Sequence, residues 1–301
     1  DRTGEIADVL ARGDRRLKVI HNPDLPPGWL GKCNAMQQAS VRASGDFLIF
    51  TDADILHEPT CFATALVEME RHELDFLSLF PLIHCVSLWE NVNLPALVGG
   101  MADLATPGFD DPESADAVAA GAFMMVRSSV FRAVGGFEPI RGQMLDDVSL
   151  AKLIKTHGYR VGFHAAPQLI QVRLFKGNLH AFWGMTKNIL FGLRGRFWLA
   201  PAVMLLPVLV FGSPFVCIVF GILERNLLLL LAGLATYTLQ YATLWTGRKV
   251  FSFHPGKALF FPLVAIPMIC CMAKALYLYS LRGEVHWRGR TVRVRGSWPG
   301  P

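Results

Sequence analysis

Acidic residues almost vanish from the second half of this chain. Residues 148–301 hold 18 lysines and arginines against two carboxylates, Glu224 and Glu284, whereas residues 1–147 hold 22 acidic and 11 basic residues. A formal net charge of +5 over 301 residues therefore hides an acidic half joined to a basic one. Cysteine is scarce and oddly placed. The six (Cys33, Cys61, Cys85, Cys217, Cys270 and Cys271) fall into no disulfide or zinc spacing, and three of them lie in apolar runs. That argues against a disulfide-stapled secreted fold and for a reduced setting. Internal repeats and low-complexity tracts are missing, which excludes a repeat array. A signal peptide and an initiator Met are missing too: Asp1-Arg-Thr-Gly-Glu-Ile opens straight into a helical pattern. The expectation is a fragment without its first strand and without any upstream membrane anchor.

The chain is rich in long apolar runs, at 197–223, 226–245 and 258–281, and Arg225, Arg248, Lys249 and Lys257 punctuate them. Each can span a hydrocarbon core of ~30 Å at ~1.5 Å per residue, so each is predicted to be a transmembrane helix. The first contains Pro201, Pro207 and Gly212-Ser-Pro214, which predicts either a kink or a re-entrant pair of short helices. Three complete spans would put Arg194 and Arg196 opposite the Arg-rich tail, 282–295, yet the positive-inside rule wants both in the cytoplasm. A re-entrant first segment removes that conflict. An acidic soluble half followed by a basic apolar one suggests a water-exposed domain tethered to an anionic bilayer face, and argues against a nucleic-acid partner. The aromatic-laced basic segment 173–196 offers RNA a surface in principle, but the runs beside it need lipid.

In the soluble half, residues 17–20 read as a short strand and 22–31 as a Pro/Gly-rich loop. Helical character follows over 35–43, a strand over 47–51, a helix over 59–71, and strands over 75–83 and 122–126. Such alternation predicts an α/β domain with a mostly parallel sheet covered on both faces. The polar, Pro/Gly-broken stretch 105–117 reads as a mobile loop near an active site or as an ordinary surface connection.

Four features carry chemistry. Thr51-Asp52-Ala53-Asp54 closes the apolar run Phe47-Leu-Ile-Phe50, placing two carboxylates where a buried strand ends. Ligands gather at such ends in open α/β sheets, and the pair suits Mg²⁺ or Mn²⁺ gripping a diphosphate. The same residues also serve an Asx turn without metal. Pro26-Pro-Gly-Trp-Leu-Gly-Lys32-Cys-Asn34-Ala35 is a glycine-bearing loop leading into a helix, where N–H groups and an ammonium can meet phosphate. It lacks the Gly-Lys-Ser/Thr ending of a Walker loop, and Lys32 is equally readable as a solvated side chain. Gly121-Ala-Phe-Met-Met-Val-Arg127 with Val134-Gly-Gly-Phe137 fits a strand and a glycine-stopped helix, with close backbone approach to a ligand open at Gly121. Met144-Leu-Asp146-Asp147-Val-Ser-Leu starts an amphipathic helix with adjacent acids. The helix dipole accounts for one of them; two in succession make a general base plausible, one accepting a proton while the other bonds locally. His57, His84 and His164 are readable as metal ligands or as satisfied structural histidines.

The ordered set Asp1-Arg-Thr, Gly31-Lys32-Cys-Asn34-Ala35, Thr51-Asp52-Ala-Asp54, Gly121-Ala-Phe, Val134-Gly-Gly-Phe and Asp146-Asp147-Val-Ser-Leu resembles the family 2 glycosyltransferases of GT-A fold, over about residues 1–190. The resemblance implies an inverting, metal-dependent transfer from a nucleotide diphosphate sugar. It gives Mn²⁺ or Mg²⁺ as cofactor, Asp52 and Asp54 as metal-side acids with Asp54 the direct ligand, Lys32, Asn34, Asp52 and Gly121 as donor-binding residues, and Asp147 as base. Asp146 stands where the family usually has Glu. Asp1-Arg-Thr is similar to the end of the family's early Asp-x-Ser-x-Asp-x-Thr signature. Arg173-Leu-Phe-Lys176 and Phe182-Trp183-Gly-Met-Thr-Lys187-Asn188 resemble membrane-bound, lipid-glycosylating members similar to carotenoid and ceramide glucosyltransferases, as does Val285-His-Trp287-Arg288-Gly-Arg290. The Gln/Arg-x-x-Arg-Trp motif of processive synthases is missing, its place taken by 183–187. Arg173, Trp183 and Lys187 then fall on the phosphate and acceptor side, where Arg173 or Lys187 neutralises the diphosphate or simply meets lipid headgroups.

The expected layout is a glycosyltransferase core over 1–170, an amphipathic interfacial segment over 171–196, transmembrane helices over 197–281 and a basic cytoplasmic tail over 282–301. The expected enzyme is a multi-pass hexosyltransferase of the plasma or inner membrane with a cytoplasmic catalytic domain, acting on a lipid acceptor. A processive polysaccharide synthase and an inactive membrane scaffold or transporter are the competing readings.

Overall fold

The structure, a computed structural model, describes residues 2–103, 117–192, 198, 200–287 and 290–293. The expected loop at 105–117 therefore lies, but for its last residue, outside the described residues, as do Arg194, Arg196 and most of the tail. In chain order the elements are α1 (Thr3–Gly13), α2 (Gly31–Arg42), β1 (Phe47–Thr51), β2 (Leu56–His57), α3 (Cys61–Arg71), β3 (Phe76–Phe80), β4 (Leu82–His84), α4 (Leu88–Asp103), β5 (Phe123–Arg127) and α5 (Ser128–Ala133). There follow α6 (Asp146–Thr156), β6 (Val161–Ala165), β7 (Ile170–Val172), α7 (Asn178–Gly192), α8 (Ala200–Leu223), α9 (Leu227–Thr246), β8 (Phe251–Ser252), α10 (Pro255–Ala258), α11 (Ala265–Tyr277), β9 (Glu284–Trp287) and β10 (Arg290–Arg293).

The central sheet has the order β1-β5-β3-β6. Three of its strands, β1, β3 and β6, run the same way, as the sequence pattern predicts. The fourth, β5, runs against them, pairing Thr51 with Phe123 on one side and Phe76 with Val126 on the other. Near-continuous apolar runs reflect burial on both faces. Phe50, Phe76, Met124 and Val126 pack with Phe131, Phe137, Leu150 and Ile154 on one face. Leu77, Phe123 and Met125 pack with Met69 and Ile170 on the other.

Two strand expectations change. Residues 17–20 join no sheet and Leu17 is exposed, because β-favouring residues without a partner strand stay an extended connection. The run 75–83 is two strands in two sheets: Pro81, which cannot donate to a ladder, separates β3 from β4. The second sheet, β2-β7-β4-β8, takes its last strand from beyond α9, where Ile83 pairs with Phe251.

Three helical stretches are long and apolar enough to cross a membrane: Ala200–Leu223, Leu227–Lys249 and Phe261–Arg282. The first, read from the sequence as either kinked or a re-entrant pair of short helices, is one continuous helix. Pro214 has no N–H to offer the carbonyl of Val210, four residues back, and that orphan acceptor instead receives Gln240 Nε2 at 2.7 Å and Ser213 Oγ at 3.1 Å. A neighbouring helix thus restores the bond that the proline removes, which keeps α8 whole in an apolar medium. Small residues bring α8 and α9 close: a Cβ on Gly233 would lie 2.8 Å from Ile218 N and from Pro214 O.

Candidate active site

The end of β1 is fixed by Thr51, whose hydroxyl donates to Ala122 O at 2.8 Å and meets His57 Nε2 at 3.1 Å. Asp52 therefore emerges beside the turn that precedes β5. That turn is pinned from below by Ser78, the lone polar residue of β3. Its buried hydroxyl donates to Ala120 O at 3.1 Å and accepts from Ala120 N at 2.9 Å. Gly121 follows directly.

From the other side come two helix starts. The loop before α2 is held by Leu30 N donating to Arg141 O at 2.8 Å, with Gly28 in the left-handed region at φ 81°, so Lys32 sits in the first turn of α2. Asp146 and Asp147 open α6, where the helix N-terminus favours carboxylates.

These side chains converge. Lys32 Nζ lies 3.0 Å from Asp52 Oδ1 and 3.2 Å from Asp146 Oδ2. Asp147 Oδ2 accepts from Gly121 N at 2.8 Å and its Oδ1 from Val148 N at 2.8 Å. A Cβ on Gly121 would stand 2.8 Å from Lys32 Nζ, 3.5 Å from Asp147 Oδ2 and 3.6 Å from Asp52 Oδ2, so the glycine leaves the centre of the cluster open. Burial pushes the Asp147 carboxyl above its ordinary range, and the adjacent charge of Asp146 adds to this; the two N–H bonds and Lys32 pull back only in part. Burial works against the charge on Lys32, but Asp146, Asp52 and Asp147 outweigh it and raise its pKa above an ordinary lysine's. The neighbouring Cys33 thiol is pushed up to about 12, first by burial and then by Asp146, which keeps it neutral and unreactive.

Of the residues the sequence singled out, Lys32, Asp52, Gly121, Asp146 and Asp147 form one cluster. Asp54 is exposed within the turn that follows Asp52. Asn34 is buried, and its amide donates to Asp24 O at 3.1 Å, tying down the 22–31 loop. Arg173 and Trp183 belong to another neighbourhood, with Arg173 Nη2 3.6 Å from Glu90 Oε1 and Lys274 Nζ 5.4 Å from the Trp183 ring. Lys187 is in α7, but its side chain lies outside the described residues. The histidines have protein partners: His84 meets Gln171 Oε1 at 3.0 Å, and His164 meets Glu68 Oε1 at 3.2 Å.

Glu90 was not picked out from the sequence, although a charged residue in Leu88-Trp-Glu-Asn-Val-Asn-Leu was a visible signal. It is fully buried and accepts from Val86 N at 2.8 Å and Gly177 N at 2.9 Å. Burial opposes its charge, yet the bonds from Val86, Ser87 and Gly177 hold it below the usual carboxylate range.

Among the described residues, no group of three or more His, Cys, Asp or Glu is arranged to hold a metal ion. The accessible oxygens of Asp52 and Asp54 nevertheless suit a hard divalent cation of the kind bound through one or two carboxylates together with substrate phosphates.

Lys32, Asp52, Asp146 and Asp147 thus meet at the end of β1, over a glycine turn and between two helix starts. Residues 15–297 match the family model for glycosyl transferase family 21, and the chain belongs to that family. It is a glycosyltransferase. Among solved structures, the chain is similar to the mannosyltransferase PcManGT from Pyrobaculum calidifontis, in complex with GDP-Man and Mn²⁺. The TM-score is 0.51 at 17% identity, over 92% of this chain and 75% of that one. At that identity the likeness establishes the shared fold, an α/β transferase domain of the GT-A kind. Among curated proteins, none matches the chain.

Proposed function

We propose that the protein transfers one hexose, with inversion, from a nucleotide diphosphate sugar to a hydroxyl or carboxyl of a membrane lipid. The observation that carries this reading is the convergence of Lys32, Asp52, Asp146 and Asp147 around the open space over Gly121. Asp147 is the base. Its two oxygens are held by the N–H groups of Gly121 and Val148, and its raised pKa brings it nearer the working pH, where a general base is effective. As the acceptor oxygen bonds to the anomeric carbon, its proton passes to Asp147. The bond from that carbon to the diphosphate breaks, and the nucleoside diphosphate leaves with the electron pair.

Lys32 and the N–H groups at the start of α2 offset the charge on the departing diphosphate. Asp52 and Asp54 would hold a divalent cation, Mn²⁺ or Mg²⁺; when bound, it supplies further charge neutralisation at the same diphosphate. The acceptor enters from the bilayer side, beneath the segment containing Arg173, Trp183 and Lys187. The catalytic core over 1–170 faces the cytoplasm at the plasma or inner membrane, joined by an interfacial segment to membrane helices. The similarity to a protein bound to GDP-Man and Mn²⁺ supports this reading.

The test is transfer of label from UDP- and GDP-sugars into lipid extracts of membranes carrying the full-length protein, with Mn²⁺, Mg²⁺ or EDTA, against Asp147→Asn. Label in lipid only with wild type and metal supports the proposal. Label in a long water-soluble polymer identifies a processive synthase, and label in neither sinks both readings.

A further inference from the structure

The third apolar stretch does not follow the path that its hydropathy implies. α8 and α9 form an antiparallel hairpin turned at Glu224, Arg225 and Asn226. Gly221 of α8 abuts Leu230 of α9 near that far end, and Gln240 of α9 reaches Val210 of α8 further back. Both open ends of the hairpin return to the catalytic domain: α8 follows α7, and α9 leads into β8, hydrogen-bonded to β4. This gives a ruler for depth. Phe211 stands about midway along α8, roughly 16 Å from its start at ~1.5 Å per residue.

Residues 255–261 descend along that ruler. Tyr241 Oη donates to Pro255 O at 3.4 Å, and Tyr237, one turn deeper, donates to Leu259 O at 2.8 Å. The Phe261 ring lies 5.3 Å from Tyr237 and 6.0 Å from Phe211, at mid-depth. There the chain reverses. Cys271 Sγ reaches Phe182 O in α7 at 3.6 Å and shares a packed cluster with Phe251 of β8 and Val172 of β7. Further on, Lys274 Nζ lies 5.4 Å from the Trp183 ring. α7 itself starts at the catalytic domain, where Asn178 Oδ1 accepts from Trp89 N at 3.2 Å. α11 therefore climbs from mid-depth back to the side it came from.

We propose that the chain crosses the bilayer twice, through α8 and α9, and that residues 255–282 form a re-entrant wedge. The irregular backbone at its tip, 3-10 helical over Phe261–Val264, is admissible at that depth because Phe261 and Val264 are buried in protein. In this arrangement Arg248, Lys249, Lys257, Lys274 and Arg282 all lie on the catalytic side, flanked by Trp183, Trp245 and Tyr277, and form a seat for the anionic headgroups of that leaflet. The far end of the hairpin carries only Glu224 and Arg225, whose charges cancel.

The test is labelling by a membrane-impermeant maleimide of the full-length protein in sealed, oriented vesicles, with the unaltered chain as background. Three single substitutions are compared: Val41→Cys in the catalytic domain, Glu224→Cys at the hairpin turn and Leu281→Cys after α11. All three positions are exposed, Val41 at 74% and Leu281 at 76%, so the fold tolerates them. The expected result is that Leu281→Cys labels from the same face as Val41→Cys, and Glu224→Cys from the opposite face. Leu281→Cys labelling with Glu224→Cys would establish a third crossing and overturn the wedge. The readout needs no turnover, so it stands or falls independently of the transfer reaction.

Discussion

The backbone N–H of Gly121 donates to Oδ2 of Asp147 across 2.8 Å, joining the turn before β5 to the first turn of α6. In the proposed reaction this bond holds the acid that takes the acceptor's proton. Asp147→Asn keeps the volume and removes the basicity. Transfer falls by about 10²- to 10⁴-fold, while binding of the nucleotide sugar, measured by calorimetry, changes little.

Gly121→Ala tests the open space rather than the acid. The new methyl would meet Lys32 Nζ at 2.8 Å, the far end of a flexible side chain, so the lysine moves and the fold does not. Stability stays within about 1 kcal/mol of wild type, whereas transfer falls about tenfold to a hundredfold through misplacement of the cation. Equal losses in melting temperature and activity would refute this.

Asp146 raises the pKa of Asp147 by its charge, after burial. A base must be ionised, so activity is lost as pH falls through that raised pKa. Asp146→Asn lowers the pKa and shifts the acid limb of the pH–rate profile to lower pH. Lys32→Met acts in the opposite direction on the limb. It also costs about 1 kcal/mol of stability, a small figure because both Lys32 and Asp52 are partly exposed and screened.

Glu90→Ala leaves the N–H groups of Val86 and Gly177 without their acceptor, at about 1–3 kcal/mol each. Because its folded pKa is depressed, Glu90 contributes stability above the ordinary carboxylate pKa and loses it as pH falls through the lower folded value. Thermal melts between neutral and acid pH should converge for wild type and Glu90→Ala.

Gln240→Leu removes the donor that completes Val210 O opposite Pro214. In detergent, the loss is about 1 kcal/mol, in the range of hydrogen bonds between membrane helices. Replacing Pro214 with Ala in the same chain restores the intrahelical bond and should recover it.

Much of the candidate site's placement was legible because its residues lie at element boundaries, where chemistry and local structure use the same letters. Asp52 at a strand end and Asp146-Asp147 at a helix start needed no tertiary knowledge. Glu90 and Ser78 did, since their importance lies in backbone groups distant in the chain. The fold divides in the same way. Long amphipathic or apolar elements such as α3, α8 and α9 followed from periodicity, whereas β8, two residues long and paired across more than 160 positions with β4, carries no local signal. Hydropathy measures length in lipid but has no direction, so the path of 258–281 relative to α8 and α9 shows only in contacts such as Tyr237 with Leu259 O and Cys271 with Phe182 O.

The pairing of β8 with β4 means that the polar and apolar halves of this chain are not separable where the composition changes. Cutting before α8 would strip β4 of its neighbour and leave open the N–H groups of Ile83 and Cys85, which now donate across that seam to Val250 O and Ser252 O. Such an edge recruits other chains. A catalytic half expressed alone would therefore tend to self-associate through this seam, and solubilising it calls for retaining residues 250–253 rather than trimming to the last polar residue.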